Sequence, residues 1–346
     1  MYNIPTHFHI NVTNKCNLNC KQCYAARNND TMTVNVLQKV AKHIYNLYQY
    51  TGCKQDMFGI TISGGEIGYF DTDLICDFID GLQVLMPEVH FDIECVSNLI
   101  YTLENRHLRL FDKANRISLS YDFGDVRFTS VSQRKLWFNN AMQLLTRYGK
   151  ERIEIYTCLT SEMIEAIGPS ELMDMFYMLP FKKYEIHELC KPIRPEQQDR
   201  IKDITPDWDK VNEYLYKAFL RYIEYRPELR IETLECMIAS YNGDFYYEHS
   251  RKCQEDYITF YPTGISYGCA MNDDAGFDSL DINTEQLIQS ANRVQLINAE
   301  RTLNDKCLTC KWLDKCNGGC DRRPWQGDKC ATPTLIYEYL EKHNIK

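Results

Sequence analysis

The sequence contains no run of about 20 apolar residues, so no membrane-spanning helix is expected. No signal segment stands at its start, because Met1 to Pro5 leads directly into a strand-like stretch. Basic charge is not in excess: 39 Lys plus Arg face 48 Asp plus Glu, a formal net charge of −9. That balance speaks against a bulk electrostatic grip on nucleic acid. The 8 histidines show no metal-ligand spacing, and there is no low-complexity tract and no internal repeat beyond a β-α unit. With 44 % hydrophobic and 25 % charged residues over 346 positions, the expectation is a cytoplasmic globular chain with one large domain and a smaller one.

Cysteine is what the chain has in plenty, with 16 in all. Without a secretion signal, so many thiols point to metal ligation rather than cross-links. Cys16, Cys20 and Cys23 stand in the spacing C-x3-C-x2-C. Three thiolates on one short loop suit three irons of a 4Fe–4S cube and leave the fourth open. Half a zinc site and unligated packed thiols are the bland alternatives. A second group runs Cys253, Cys269, Cys307, Cys310, Cys316, Cys320 and Cys330. Its C-x2-C element is also zinc-ribbon spacing. Cys53, Cys76, Cys95, Cys158, Cys190 and Cys236 are left over, most of them expected in the core.

Hydrophobic patterning gives alternating strands and helices. Strands are expected at His7–Thr13, Phe58–Ser63, Val89–Ser97, Ile117–Tyr121, Arg152–Leu159 and Tyr184–Cys190. Thr33 caps a helix to Tyr50, with Leu37, Val40, Ala41, Ile44 and Tyr48 inward. Asp71 or Thr72 opens another with Leu74, Ile75, Phe78, Ile79, Leu82 and Leu85 inward, and a third runs from Ser130 to Tyr148. Lys191–Pro195 and the polar residues after it read as a linker. Thr205-Pro206, cap and first-turn proline, starts a helix to Tyr225. Phe260 to Ser266, turning at Pro262-Thr263-Gly264, reads as a β-hairpin. The pattern implies an α/β fold with parallel strands. The cysteine loop, Ser63-Gly64-Gly65-Glu66 and Ser97-Asn98 follow strands one, two and three, at the strand ends where barrels carry their sites.

The first cysteine motif resembles the signature of the radical S-adenosylmethionine (SAM) enzymes. The resemblance implies a partial (β/α)6 TIM-like barrel over 1–195. SAM would sit on the open iron and be split reductively to a 5′-deoxyadenosyl radical. Gly64-Gly65-Glu66 resembles the family's Gly-Gly-Glu-Pro element for the methionine amine, with Ile67 in place of proline. Ser63 opens that element, and Ser97, Asn98, Ser120 and Asp122 stand where ribose and carboxylate contacts are implied. Gln22 occupies a place that is aromatic in the family, against the adenine.

The seven later cysteines resemble the SPASM domain, implied over 251–346 after a helical bridging segment at 196–250. It carries two auxiliary clusters, so three 4Fe–4S clusters are implied in all. Cys307, Cys310, Cys316 and Cys330 would hold one, and Cys253, Cys269 and Cys320 the other. That inner set is one ligand short, which implies either an open iron that a substrate thiolate could bind or a distant ligand, with Cys236 as the nearest candidate. The implied activity is oxidative modification of a peptide or protein by C–S or C–C cross-linking. It would draw electrons from a donor such as flavodoxin or ferredoxin. Only fifteen residues precede Cys16, so a separate leader-binding protein would serve any leader. Dehydrogenation, isomerisation or epimerisation of a small molecule or nucleotide is the alternative. Sulfatase maturation ranks lower, because Ala270 stands where maturases have an aspartate beside Cys269, though Asp273 and Asp274 are near. A zinc- or cluster-bearing structural or electron-transfer protein is the non-enzyme alternative.

Overall fold

A computed structural model describes residues 3–25, 28–191, 195–245, 250–270 and 277–345; Asp273 and Asp274 lie outside them. The chain begins β1 His7–Asn11, α1 Val34–Tyr50, β2 Met57–Ser63, α2 Thr72–Leu85, β3 His90–Ser97, α3 Asn105–Lys113 and β4 Arg116–Ser120. It continues α4 Val131–Tyr148, β5 Ile153–Leu159, α5 Ser161–Ala166, α6 Pro169–Met178, β6 Lys183–Glu188, α7 Pro195–Ile201, α8 Trp208–Tyr225, β7 Arg230–Ile231 and α9 Glu232–Tyr241. Then come α10 Cys253–Asp256, β8 Tyr257–Tyr261, β9 Gly264–Tyr267, α11 Thr284–Gln289, α12 Ala291–Arg301, α13 Leu313–Cys316 and α14 Thr334–His343.

Among the described residues one sheet holds nine strands in the order β7-β6-β5-β4-β3-β2-β1-β8-β9. Every neighbouring pair is parallel except the β8–β9 hairpin. The six expected strands are therefore present and parallel. The hairpin is present too, but it is not a separate sheet: β8 extends the barrel edge beside β1, where the His7 and Tyr257 rings stack at 4.8 Å.

Alternation along the strands explains the architecture. In β2, Phe58, Ile60 and Ile62 are wholly buried, while Gly59, Thr61 and Ser63 between them are half-buried. The apolar row packs on the helices, and the other row faces a polar interior. Glu94 of β3 lies in that interior, accepting hydrogen bonds from Thr61 (3.1 Å), Ser118 (2.6 Å) and Tyr156 (2.7 Å).

Thr33 caps α1, as the sequence implies, by accepting from Val36 N. Three local readings are corrected. Leu85 is 48 % exposed, because α2 ends there and its last turn overhangs the core. The linker after β6 contains α7. The cap of α8 is Asp207, whose side chain accepts from Asp209 N; it displaces Thr205 because Thr205 Oγ1 bonds back to Ile201 O.

Candidate cofactor and cluster sites

The loop carrying Cys16, Cys20 and Cys23 leaves the C-terminal end of β1 and rests on the turn after β2. Gly64 and Gly65 are required for that contact. A Cβ on Gly64 would lie 2.4 Å from Thr13 O, and one on Gly65 2.4 Å from Lys15 O. Their absence lets Gly65 N bond Thr13 O (2.6 Å) and Glu66 N bond Lys15 O (3.0 Å). The glycine pair thus fixes the backbone just before Cys16.

Glu66 turns inward. It is 2 % exposed and accepts from Ser97 Oγ (2.7 Å), Asn98 N (2.6 Å) and Gly68 N (3.1 Å). Burial raises its carboxyl above the usual range, against those donors. Three expected residues are therefore brought together, but as a brace between the ends of β2 and β3. Asn98 also donates to Cys16 Sγ (3.6 Å) and to Asn17 Oδ1 (3.1 Å), and Asn17 ties the loop to Ile100 O (2.6 Å). Ser120 ends β4, half-buried, with its carbonyl accepting from Trp137.

Asp122 is wholly buried and accepts from Arg127 Nε (2.6 Å), Cys158 N (2.7 Å) and Gln22 Nε2. This anchors the middle of the Cys20–Cys23 segment to the end of β4. Arg127 also lowers the Cys20 thiol, against a larger upward push from burial. Beneath the loop, Gln197 and Arg200 of α7 donate to Tyr24 O and Cys23 O, the latter at 2.7 Å. Ile201 and Ile204 pack with Val126 and Leu189 below them. Arg127, Gln197 and Arg200 escape sequence reasoning, since they lie about a hundred residues or more from the loop they hold. Asn17, inside the motif, could have been suspected as a loop-closing amide.

The three thiols of this loop lie close enough to repel one another's charge, and burial pushes Cys16 up to about 11. Coordination by iron supplies the positive charge that reverses such a shift. Among the described residues no three His, Cys, Asp or Glu side chains close on a single ion. A cube places its thiolates on different irons, so they need only surround a common space.

The residues present fit both SAM and clusters. Asn11 Oδ1, beside Gly64, and Gln22 Oε1 are buried acceptors with no donor among the described residues. The Gln22 amide orientation is dictated, since a flipped amide would set its oxygen against the Asp122 carboxylate. Ammonium and amino groups are the donors that SAM offers. For the outer auxiliary set, Cys307, Cys310 and Cys330 all raise the Cys316 thiol by repulsion, after burial. Backbone amides two residues on bond to the sulfurs of Cys310 (Trp312 N, 3.5 Å), Cys316 (Gly318 N, 3.3 Å) and Cys330 (Thr332 N, 3.4 Å). Leu18 N does the same for Cys16 at 3.4 Å. Amide-to-sulfur bonds of this kind stabilise thiolates and tune clusters. A cavity of about 540 Å³ opens among Cys307, Cys320 and Cys330.

With a cysteine loop at the end of its first parallel strand, the chain has the partial-barrel fold of the radical SAM enzymes. Among solved structures it resembles anSMEcpe with bound AdoMet and the Cp18Cys peptide, at a TM-score of 0.77 and 16 % identity, over 99 % of this chain and 100 % of that one. It also resembles Streptococcus suis SuiB bound to precursor peptide SuiA, with a TM-score of 0.63 and 16 % identity, over 92 % of this chain and 72 % of that one. No family model and no curated protein matches the sequence. Among the described residues no helix is long and apolar enough to cross a membrane.

Proposed function

We propose that this chain is a radical SAM enzyme that oxidises a peptide or protein substrate, with 1–195, 196–250 and 251–346 as barrel, bridge and auxiliary-cluster region. The observation that carries the reading is the seating of Cys16, Cys20 and Cys23 on the Gly64-Gly65 turn, at the open end of a barrel with a polar interior. When bound at that loop, cluster and SAM together supply a 5′-deoxyadenosyl radical able to take a hydrogen atom from an unactivated carbon. The chain's own residues do the holding. Asn98 and Asn17 fix the Cys16 end of the loop; Asp122 and Arg127 fix Gln22 and the charge beside Cys20. Asn11 and Gln22 offer acceptors to the cofactor's donors. Ser63, Ser97 and Ser120 line the same strand ends as its polar contacts, while Glu66 acts through the backbone it braces.

Peptides are favoured over small molecules because both structural neighbours are bound to peptides. Coverage of anSMEcpe from end to end raises maturase-type side-chain dehydrogenation to stand beside cross-linking. The counterweight is Ala270, whose position offers no carboxylate; its carbonyl accepts from Tyr261 Oη at 2.6 Å. The auxiliary clusters would take the electron that substrate oxidation releases. A flavodoxin or ferredoxin would supply the reductant.

The test is anaerobic reconstitution with iron and sulfide, then SAM and a reductant, with 5′-deoxyadenosine measured by chromatography. Iron-loaded protein that releases none refutes the reading. Both products lose two hydrogens, so tandem mass spectrometry of candidate peptides after turnover separates them: a cross-link blocks fragmentation between the two joined residues, and oxidation of a single side chain does not.

A further inference from the structure

The inner auxiliary set has three cysteines for four irons, and a buried carboxylate bonds the backbone at one of them. Gly268 N bonds Tyr257 O (3.0 Å), so the open end of the β8–β9 hairpin sets Cys269 next to the single turn of α10 that begins at Cys253. Glu300 of α12 reaches that turn. Its Oε1 accepts from Cys253 N at 3.0 Å and its Oε2 from Gln254 N at 3.1 Å. Glu300 is 3 % exposed, and among the described residues no basic side chain forms an ion pair with it. Arg251, the nearby cation, donates instead to Thr302 O and Gly319 O, each at 3.1 Å. Ala299, Arg251 and Cys320 line one cavity, and Met237 lines it where Cys236, the candidate from the sequence, does not.

A buried carboxylate with no ion-pair partner is costly. Two amides occupy about two of its roughly four lone-pair sites. A cube bound by three cysteines lacks one protein ligand. The two deficits match. We infer that Glu300 is the fourth protein ligand of the cluster held by Cys253, Cys269 and Cys320. The inference rests on the cluster reading above and deepens it. It implies that this inner cluster is closed, so that a substrate thiolate does not bind it.

The test uses the full chain with Cys16, Cys20 and Cys23 changed to Ala, which leaves the auxiliary sites alone. Reconstituted anaerobically, this parent should hold about eight irons. Mild ferricyanide oxidation strips an iron that has no protein ligand and leaves a paramagnetic 3Fe–4S centre. Electron paramagnetic resonance should show little of that signal in the parent and several-fold more in Glu300→Gln, whose amide still accepts a hydrogen bond but ligates iron poorly. Glu300→Cys, which restores an anionic ligand, should return the signal to the parent level; a residue that only caps α10 would leave Glu300→Cys like Glu300→Gln. Asp321→Asn, a change to the neighbouring carboxylate, should match the parent. Equal signals from parent and Glu300→Gln overturn the assignment, as does a rise in Asp321→Asn alone. A parent that takes up no iron refutes the cluster reading itself.

Discussion

Strands β1 to β6 each send an apolar row outward, and Phe8, Ile62, Cys95, Leu119 and Leu159 on those rows are wholly buried. Between Thr302 and Pro333, by contrast, the buried apolar side chains are Cys307, Trp312, Cys316 and Ala331. Half of that short inventory consists of proposed cluster ligands. The barrel closes on the hydrophobic effect, whereas the later segment is shaped by turns, amide-to-sulfur bonds and one buried ion pair. In that pair Arg323, beside Cys320 and Cys330, meets Glu188 at the end of β6. On the proposed cluster reading, a segment with so little apolar surface would draw much of its folding energy from what its cysteines bind.

The largest expected effect tests that contrast directly. Changing Cys307, Cys310, Cys316 and Cys330 together to Ala should leave amides of 303–333 nearly unprotected in hydrogen exchange. Those of β1 to β3 should stay protected. Equal loss in both regions would break the comparison.

Next comes the anchor of the first loop. Asp122→Ala strands the Arg127 guanidinium, whose side chain is 14 % exposed, and should cost about 3–5 kcal/mol in denaturant unfolding. The same variant should lose SAM affinity, since Gln22 is released. Retention of both stability and affinity would show that the loop holds itself.

A smaller effect probes the polar interior of the barrel. Burial, then repulsion from Glu185 and Glu94, raises the Glu154 carboxyl from 4.5 to about 8. From pH 4.5 upward the unfolded chain releases this proton while the folded chain keeps it, so stability falls as pH rises toward 8. Glu154→Gln removes that loss. It should unfold like the parent at pH 4 and be more stable by a few kcal/mol at pH 8, with calorimetry as the measurement. A difference that does not change with pH refutes the account.

The smallest effect lies at the rim. Lys21 and Glu162 pair at 2.5 Å with side chains 50 % and 31 % exposed. Lys21→Met should change stability by less than about 1 kcal/mol and leave 5′-deoxyadenosine release unchanged.

Much of this was legible beforehand because its signals are local. Cys16, Cys20 and Cys23 lie within one loop, and period-two alternation marks β2 and β5 without reference to anything distant. The glycine pair was visible too, yet its contact with Thr13 and Lys15 was not: a strand end says nothing about which loop leans on it. α7 was hidden for a similar reason. Its Gln197 and Arg200 are polar because they donate to the carbonyls of Tyr24 and Cys23, which makes a docked helix look like a linker.

Residue types and spacing by themselves determined the parallel α/β order and the hairpin, and set three cysteines in one short motif and seven in a later group; the division of those seven into two sets came from the family resemblance. Folding alone decided that Glu66 points inward, that Asp122 serves Gln22 and Arg127, that the hairpin joins the barrel sheet, and that Glu300 arrives at Cys253. Periodicity and motif spacing record contacts within a few residues of the chain. A hydrogen bond or missing ligand supplied from about fifty or a hundred residues away leaves no period to read, because it depends on how elements pack rather than on how any one forms.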